Sequence, residues 1–241
     1  MRRETQNILL LLLGGALLKI AITGDYLRYV KPAHQPWLLA GGAVTVALGA
    51  VAIVRDVLAA RRRAVEEPGH EHHHPARSAW LLMVPVLAVF LVAPPALGSD
   101  SVTRTRGGTA EGFAPAGPGA SFPPLPQGDP LPLTVTDFVS RAGWDEARSV
   151  DGRTVSLTGF VVHDERETLL ARLVIGCCAA DAYPVRVRLD GGHAAALPAD
   201  TWVRVTGKVV PGLNTADSGY IPALTVGTLQ EVPAPKDPYE Y

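Results

Sequence analysis

The chain has 241 residues, 47% of them hydrophobic and 19% charged, with 22 Lys and Arg against 23 Asp and Glu for a formal net charge of −1. A mean hydropathy of +0.17 argues against a simple cytosolic globule and against a disordered acidic or basic chain. Near-neutrality gives no global basic footprint for nucleic acid, and the two cysteines, Cys177 and Cys178, exclude a disulfide framework and any multi-cysteine zinc module.

Three apolar stretches come first: residues 8–23, broken only by Lys19, then 36–54 and 78–98, neither holding a charge. Crossing a bilayer core takes about 20 apolar residues of helix. The pattern therefore predicts three transmembrane helices within a membrane domain of residues 1–98. Lys19 lies near the end of its stretch, where its head group can snorkel to the interface. A signal peptide is the alternative for the first stretch, with Arg2 and Arg3 as its basic end, but no small-x-small cleavage site follows before Tyr26. Pro85, Pro94 and Pro95 do not forbid the third helix, since membrane helices tolerate proline. Arg2, Arg3, Arg55, Arg61, Arg62, Arg63 and Arg77 outweigh Arg28 and Lys31 of the first loop. The positive-inside bias then places the N-terminus and the loop 55–77 in the cytoplasm, and everything after Gly98 outside it.

The loop 55–77 carries His70, Glu71, His72, His73 and His74. Clustered neutral imidazoles are a metal-binding composition suited to zinc, copper or nickel. The alternative is a solvated polar turn, because the run lacks the spacing of a rigid tetrahedral site. Residues 99–130 read as a linker, and half of residues 107–130 are Gly or Pro, which reads as an extended tether.

From Leu131 to Tyr241 an all-β domain is expected outside the cytoplasm. Thr136 or Asp137 is a plausible N-cap for a short helix through Val139. Strand-like alternation follows over residues 154–163, 169–177, 183–189, 202–210 and 221–231. Gly159 and Gly207 sit mid-strand, where glycine permits the bend or bulge that closes a small barrel. An OB-like five-stranded barrel is the first expectation and an irregular β-sandwich the alternative. Either fold hosts many functions.

The chemically loaded segment is Gly176-Cys177-Cys178-Ala179-Ala180-Asp181. In a regular strand the two cysteines would face opposite ways, one packing inward as a small hydrophobe. If the chain turns there, both sulfurs converge on one soft ion (zinc, copper(I) or a trivalent metalloid), with Asp181 as a hard ligand or an orienting neighbour. A strained vicinal disulfide is the third option. No catalytic constellation emerges: His163, Asp164, Glu165 and Glu167 read as a solvated turn, and there is no phosphate loop, His-Glu-x-x-His or nucleophile elbow.

The layout resembles the YcgQ-type family of bacterial permease subunits over nearly its whole length. The resemblance rests on the N-terminal spans, the His-rich loop, and a Trp-led span closing in Pro94-Pro95. It continues through Gly159-Phe160-Val161, the Cys-Cys-Ala-Ala-Asp segment at 177–181, Trp202 to Gly207, and the ending Pro238-Tyr239-Glu240-Tyr241. Gly176 departs from the pattern, in which a Thr precedes the cysteine pair. The resemblance implies a non-enzymatic accessory subunit, lodged in the bilayer beside a multi-spanning YcgR-type permease related to those linked to organic arsenicals. The resemblance names no substrate; the residues themselves predict that the outer domain binds or delivers a soft metal or metalloid ion such as zinc through Cys177 and Cys178, with Asp181 and the His70, His72, His73 and His74 run as further candidate ligands. A purely structural membrane-anchored interaction protein and an extracytoplasmic thiol oxidoreductase are the alternatives, the latter lacking Cys-x-x-Cys spacing.

Overall fold

A computed structural model describes residues 3–63, 84, 87–88, 91–92, 94–105, 122–164, 167–211 and 221–241. The chain divides into two units, Met1–Pro95 and Ala96–Tyr241.

In the first unit, helices α1 (Arg3–Thr23) and α2 (Gln35–Arg63) run antiparallel. The 21 residues of α1 rise about 31 Å at 1.5 Å each. Gly24, with a left-handed φ of 89°, ends α1. Two 3₁₀ turns, Asp25–Arg28 and Pro32–His34, then reverse the chain. Small residues bring the helices close: a Cβ on Gly14 would lie 2.8 Å from Val46 Cγ2 and 2.9 Å from the Gly42 carbonyl oxygen. Polar groups at the contact are satisfied, since Asn7 Nδ2 donates to Asp56 Oδ2 at 2.8 Å and Gln35 Nε2 to the Ala21 carbonyl at 3.0 Å. Trp37, Val44, Leu48, Val51 and Val54 of α2 are exposed.

Among the described residues two helices, not the expected three, are long and apolar enough to cross a membrane. The third expected span, 78–98, lies mostly outside the described residues, and its end, 94–98, is not helical. Consecutive prolines there remove two backbone donors and bias the preceding residues away from the helical region.

The second unit opens with α3 (Ser99–Arg104), where the sequence reading placed the start of the linker. Ser99 donates its N–H and its hydroxyl to the Asp200 carboxylate at 2.6 and 2.8 Å. Val102 is buried among Phe160, Val162, Leu169 and Leu173. One buried side chain in a six-residue helix is too weak a pattern to stand out from a polar tether.

Strands β1 (Leu131–Pro132), β2 (Thr154–Asp164), β3 (Glu167–Val174), β4 (Tyr183–Asp190), β5 (Trp202–Val209), β6 (Ala223–Glu231) and β7 (Tyr239–Glu240) form one mixed sheet. Its order is β1-β2-β5-β6-β4-β3-β7, and β2 also pairs with β3. β4 and β6 are parallel, as are β1 with β2 and β3 with β7; the remaining ladders are antiparallel. All the described strands share this one sheet. The mid-strand glycines sit where the ladders crowd: a Cβ on Gly159 would lie 2.6 Å from the Ala171 carbonyl oxygen, and one on Gly207 would collide with the Thr225 carbonyl. The β5–β6 register shifts at Thr206/Gly207, as a bulge requires.

Around β2 and β3 the sheet is apolar on both faces. Val155, Leu157, Val161, Leu170 and Val187 pack in one cluster, Phe160, Val162, Leu169, Ala171 and Ile175 in the other. Helix α4 (Val135–Trp144) covers the first cluster with Val135, Phe138 and Val139. Its N-cap is Thr134, whose hydroxyl accepts the Asp137 N–H at 2.9 Å, rather than Thr136 or Asp137.

The C-terminal strand β7 binds these parts together. Glu240 Oε1 accepts the Val135 N–H at 3.0 Å, while Oε2 accepts the Thr136 N–H at 2.8 Å and its hydroxyl at 2.6 Å. A carboxylate here satisfies orphan donors of the first turn and sits at the positive end of the helix dipole. The same carboxylate is 3.4 Å from Arg172 Nε, both side chains being about nine-tenths buried. Arg172 Nη2 donates to the Tyr239 carbonyl at 3.0 Å, and its guanidinium lies 4.8 Å over the Trp202 ring. Burial lowers the Arg172 pKa, and Glu240 opposes that shift.

Removing one member of a buried ion pair leaves the other charge stranded, at about 3–5 kcal/mol. Glu240→Ala should lower stability by that order, read from urea unfolding of the full chain in detergent micelles. A loss below about 1 kcal/mol, the scale of an exposed pair, would contradict the anchoring role.

Candidate functional site

Strand β3 ends at Val174. Ile175 stays buried, and its N–H donates to the Glu240 carbonyl at 3.1 Å. The chain then leaves the sheet, so strand alternation no longer governs the cysteines. Cys177 is exposed and Cys178 half-exposed, and both are free thiols. The expectation of an inward-packed core thiol therefore does not hold for Cys177.

The loop closes on Asp181. Its Oδ1 accepts the Gly176 N–H at 2.8 Å and its Oδ2 the Cys177 N–H at 2.7 Å. Its own N–H donates to the Cys178 carbonyl at 3.0 Å, within the 3₁₀ turn Ala179–Asp181. A Cβ on Gly176 would lie 3.0 Å from Asp181 Oδ2, so a larger residue there would press on the carboxylate. Two sulfurs and a carboxylate oxygen result, all within 4.8 Å of one another. Zinc takes sulfur at about 2.3 Å and carboxylate oxygen at about 2.0–2.2 Å. Donors this close are candidates to share one ion, which would draw them closer together.

The electrostatics follow from that carboxylate. Its hydrogen bond with the Cys177 thiol, followed by that between the two cysteines, pushes the Cys177 pKa up from 9.0 to about 11. The Asp181 pKa is lowered, first by the Cys177 thiol and then by the backbone N–H donors. At neutral pH the loop thus holds a protonated thiol beside an ionised carboxylate.

Other expected positions are placed apart. His70, His72, His73 and His74 lie outside the described residues. His163 Nε2 lies 2.8 Å from the Leu197 carbonyl, and Glu167 pairs with Arg188 at 3.5 Å. The sequence reading missed the cleft of about 750 Å³ lined by Thr136, Ser140, Arg172, Asp237, Glu240 and Tyr241. The ending Pro-Tyr-x-Tyr was its only signal, and nothing local in that motif names Arg172 as the partner of Glu240.

Comparison with family models matches residues 5–107 to the DUF1980 N-terminal domain and residues 145–241 to the DUF1980 C-terminal domain. The chain belongs to the DUF1980 family. The C-terminal DUF1980 match contains the whole dithiol loop and the Glu240 anchor. The N-terminal match runs on through α3, which packs in the second unit. No curated protein and no solved structure matches the chain.

Alkylation occurs through the thiolate. In a Cys178→Ser background, the iodoacetamide reaction at Cys177 should therefore be slow at about pH 8 and keep accelerating well above the ordinary thiol pKa of about 8.5. Asp181→Asn removes the opposing charge and should move the rise down. Mass spectrometry of the alkylated protein against pH checks this, and a rate that levels off below about pH 8 would contradict it.

Proposed function

We propose that this DUF1980 protein is a membrane-anchored accessory subunit of a multi-spanning permease, whose C-terminal domain binds or delivers a soft metal or metalloid ion outside the cytoplasm. The observation that carries this reading is the convergence of Cys177, Cys178 and Asp181 within 4.8 Å on an exposed loop. A structural thiol needs neither exposure nor a donor partner. Thiolates suit zinc, copper(I) and related soft ions. The raised Cys177 pKa counts against thiol–disulfide exchange, which needs a low-pKa thiolate.

Support for the anchor comes from α1 and α2, apolar enough to cross a membrane and joined through small residues as apolar helices are in lipid. Sidedness rests on the arginine distribution, which favours a cytoplasmic loop 55–77, together with a third crossing by residues 78–98 that carries the chain out again. We read the C-terminal domain as an OB-like barrel. The pairing path β2–β5–β6–β4–β3 returns to β2, with one parallel rung between β4 and β6, which is the connectivity of that fold.

Cys177→Ser combined with Cys178→Ser should abolish ion-dependent transport by the subunit–permease complex while the complex still co-purifies. Undiminished transport would reject the reading and leave the alternative of a purely structural clamp. A phosphatase fused after Tyr241 should be active outside the cytoplasm. A fusion active only in the cytosol would overturn the sidedness and the delivery role with it.

A further inference from the structure

Resting on the soft-ion reading of this loop, we infer that Asp181 builds the site without ligating the ion, so that the cargo is held by the two sulfurs alone. The site then selects a copper(I)-class cation over zinc. Both oxygens of Asp181 already accept a backbone N–H, from Gly176 at 2.8 Å and Cys177 at 2.7 Å. Charge-assisted bonds of that length are the strong ones. They fold residues 176–181 into the shape that brings two consecutive side chains to one spot. Each oxygen keeps a second lone pair, but turning it fully onto an ion would pull the carboxylate away from the N–H groups that hold the first thiol in place. Asp181 is therefore a positioning residue.

Without it, the donor set is two sulfurs. Among the described residues no other Cys, His, Asp or Glu joins the group. A closed zinc site takes four donors, and even an open one usually takes three from protein. Two exposed thiolates leave zinc two donors short, to be filled by water. A monovalent soft cation is content with thiolate ligands and low coordination. The exposed rim also leaves room for an acceptor's thiol or imidazole to enter before the first bond breaks. Loading exchanges ions without redox change: copper(I) enters, and the two thiol protons leave to solvent.

The full chain in detergent micelles tests this by titration with copper(I) against bicinchoninate and with zinc(II) against a chromophoric zinc chelator. One copper(I) should bind per chain and out-compete an equal concentration of zinc(II) by more than about 100-fold. Tight copper(I) binding should vanish in the Cys177→Ser, Cys178→Ser double variant, leaving only what the His70–His74 run retains. X-ray absorption of the copper-loaded wild type should show two Cu–S bonds and no Cu–O bond, which decides the role of Asp181 without any variant. Asp181→Asn should weaken binding by about 10–100-fold, as loss of a supporting partner does, with the same sulfur-only spectrum. A Cu–O bond in wild type overturns the role given to Asp181. Cysteine-dependent zinc binding as tight as copper(I) overturns the ion class but leaves the soft-ion reading standing. No binding of either ion overturns both.

Discussion

The carboxylate of Glu240 joins three segments of the second unit that are far apart in sequence. It takes two N–H groups and a hydroxyl from the start of α4, stands against Arg172 of β3, and belongs to the strand that pairs with the end of β3. Desolvating a carboxylate and a guanidinium is costly and is offset only when the remaining hydrogen-bonding capacity is met. Here the helix N-terminus, the Tyr239 carbonyl and the Trp202 ring meet most of it. The backbone carbonyl of the same residue holds Ile175, two residues before Cys177. Rigidity at the last strand of the chain is thereby passed to the loop that carries the thiols.

Asp181 repeats the device on a smaller scale. A carboxylate again gathers backbone N–H groups, but within six residues and at the surface. The result has two sides. The loop acquires one shape, and the adjacent negative charge keeps Cys177 protonated. Such a thiol is a poor nucleophile, yet it surrenders its proton to a metal ion, whose charge reverses the local electrostatics. Geometry brings two sulfurs and a carboxylate together, and the protonated thiol weighs against disulfide chemistry.

The first unit obeys a different constraint. Its two apolar helices associate by close backbone approach and a few interhelical hydrogen bonds, the mode apolar helices use in hydrocarbon. Gly14 and Gly42 supply the approach, and the Asn7–Asp56 bond pins the register near the N-terminal end of α1.

The sequence alone determined what local periodicity encodes. It located the two apolar helices, the five long strands, the mid-strand glycines and the dithiol segment, because each leaves its pattern within about ten residues. It misjudged 94–104, where 94–98 is not helical and a single buried valine seats a short helix. It also set the start of α4 two or three residues late, because three candidate caps stand close together. Only the tertiary structure decided that β1 and β7 extend the sheet, that Glu240 meets Arg172, and that the chain turns at Gly176 so both sulfurs share a side. Those outcomes rest on hydrogen bonds between residues up to about a hundred positions apart, or on one carboxylate choosing backbone partners, and neither leaves a mark in composition or period.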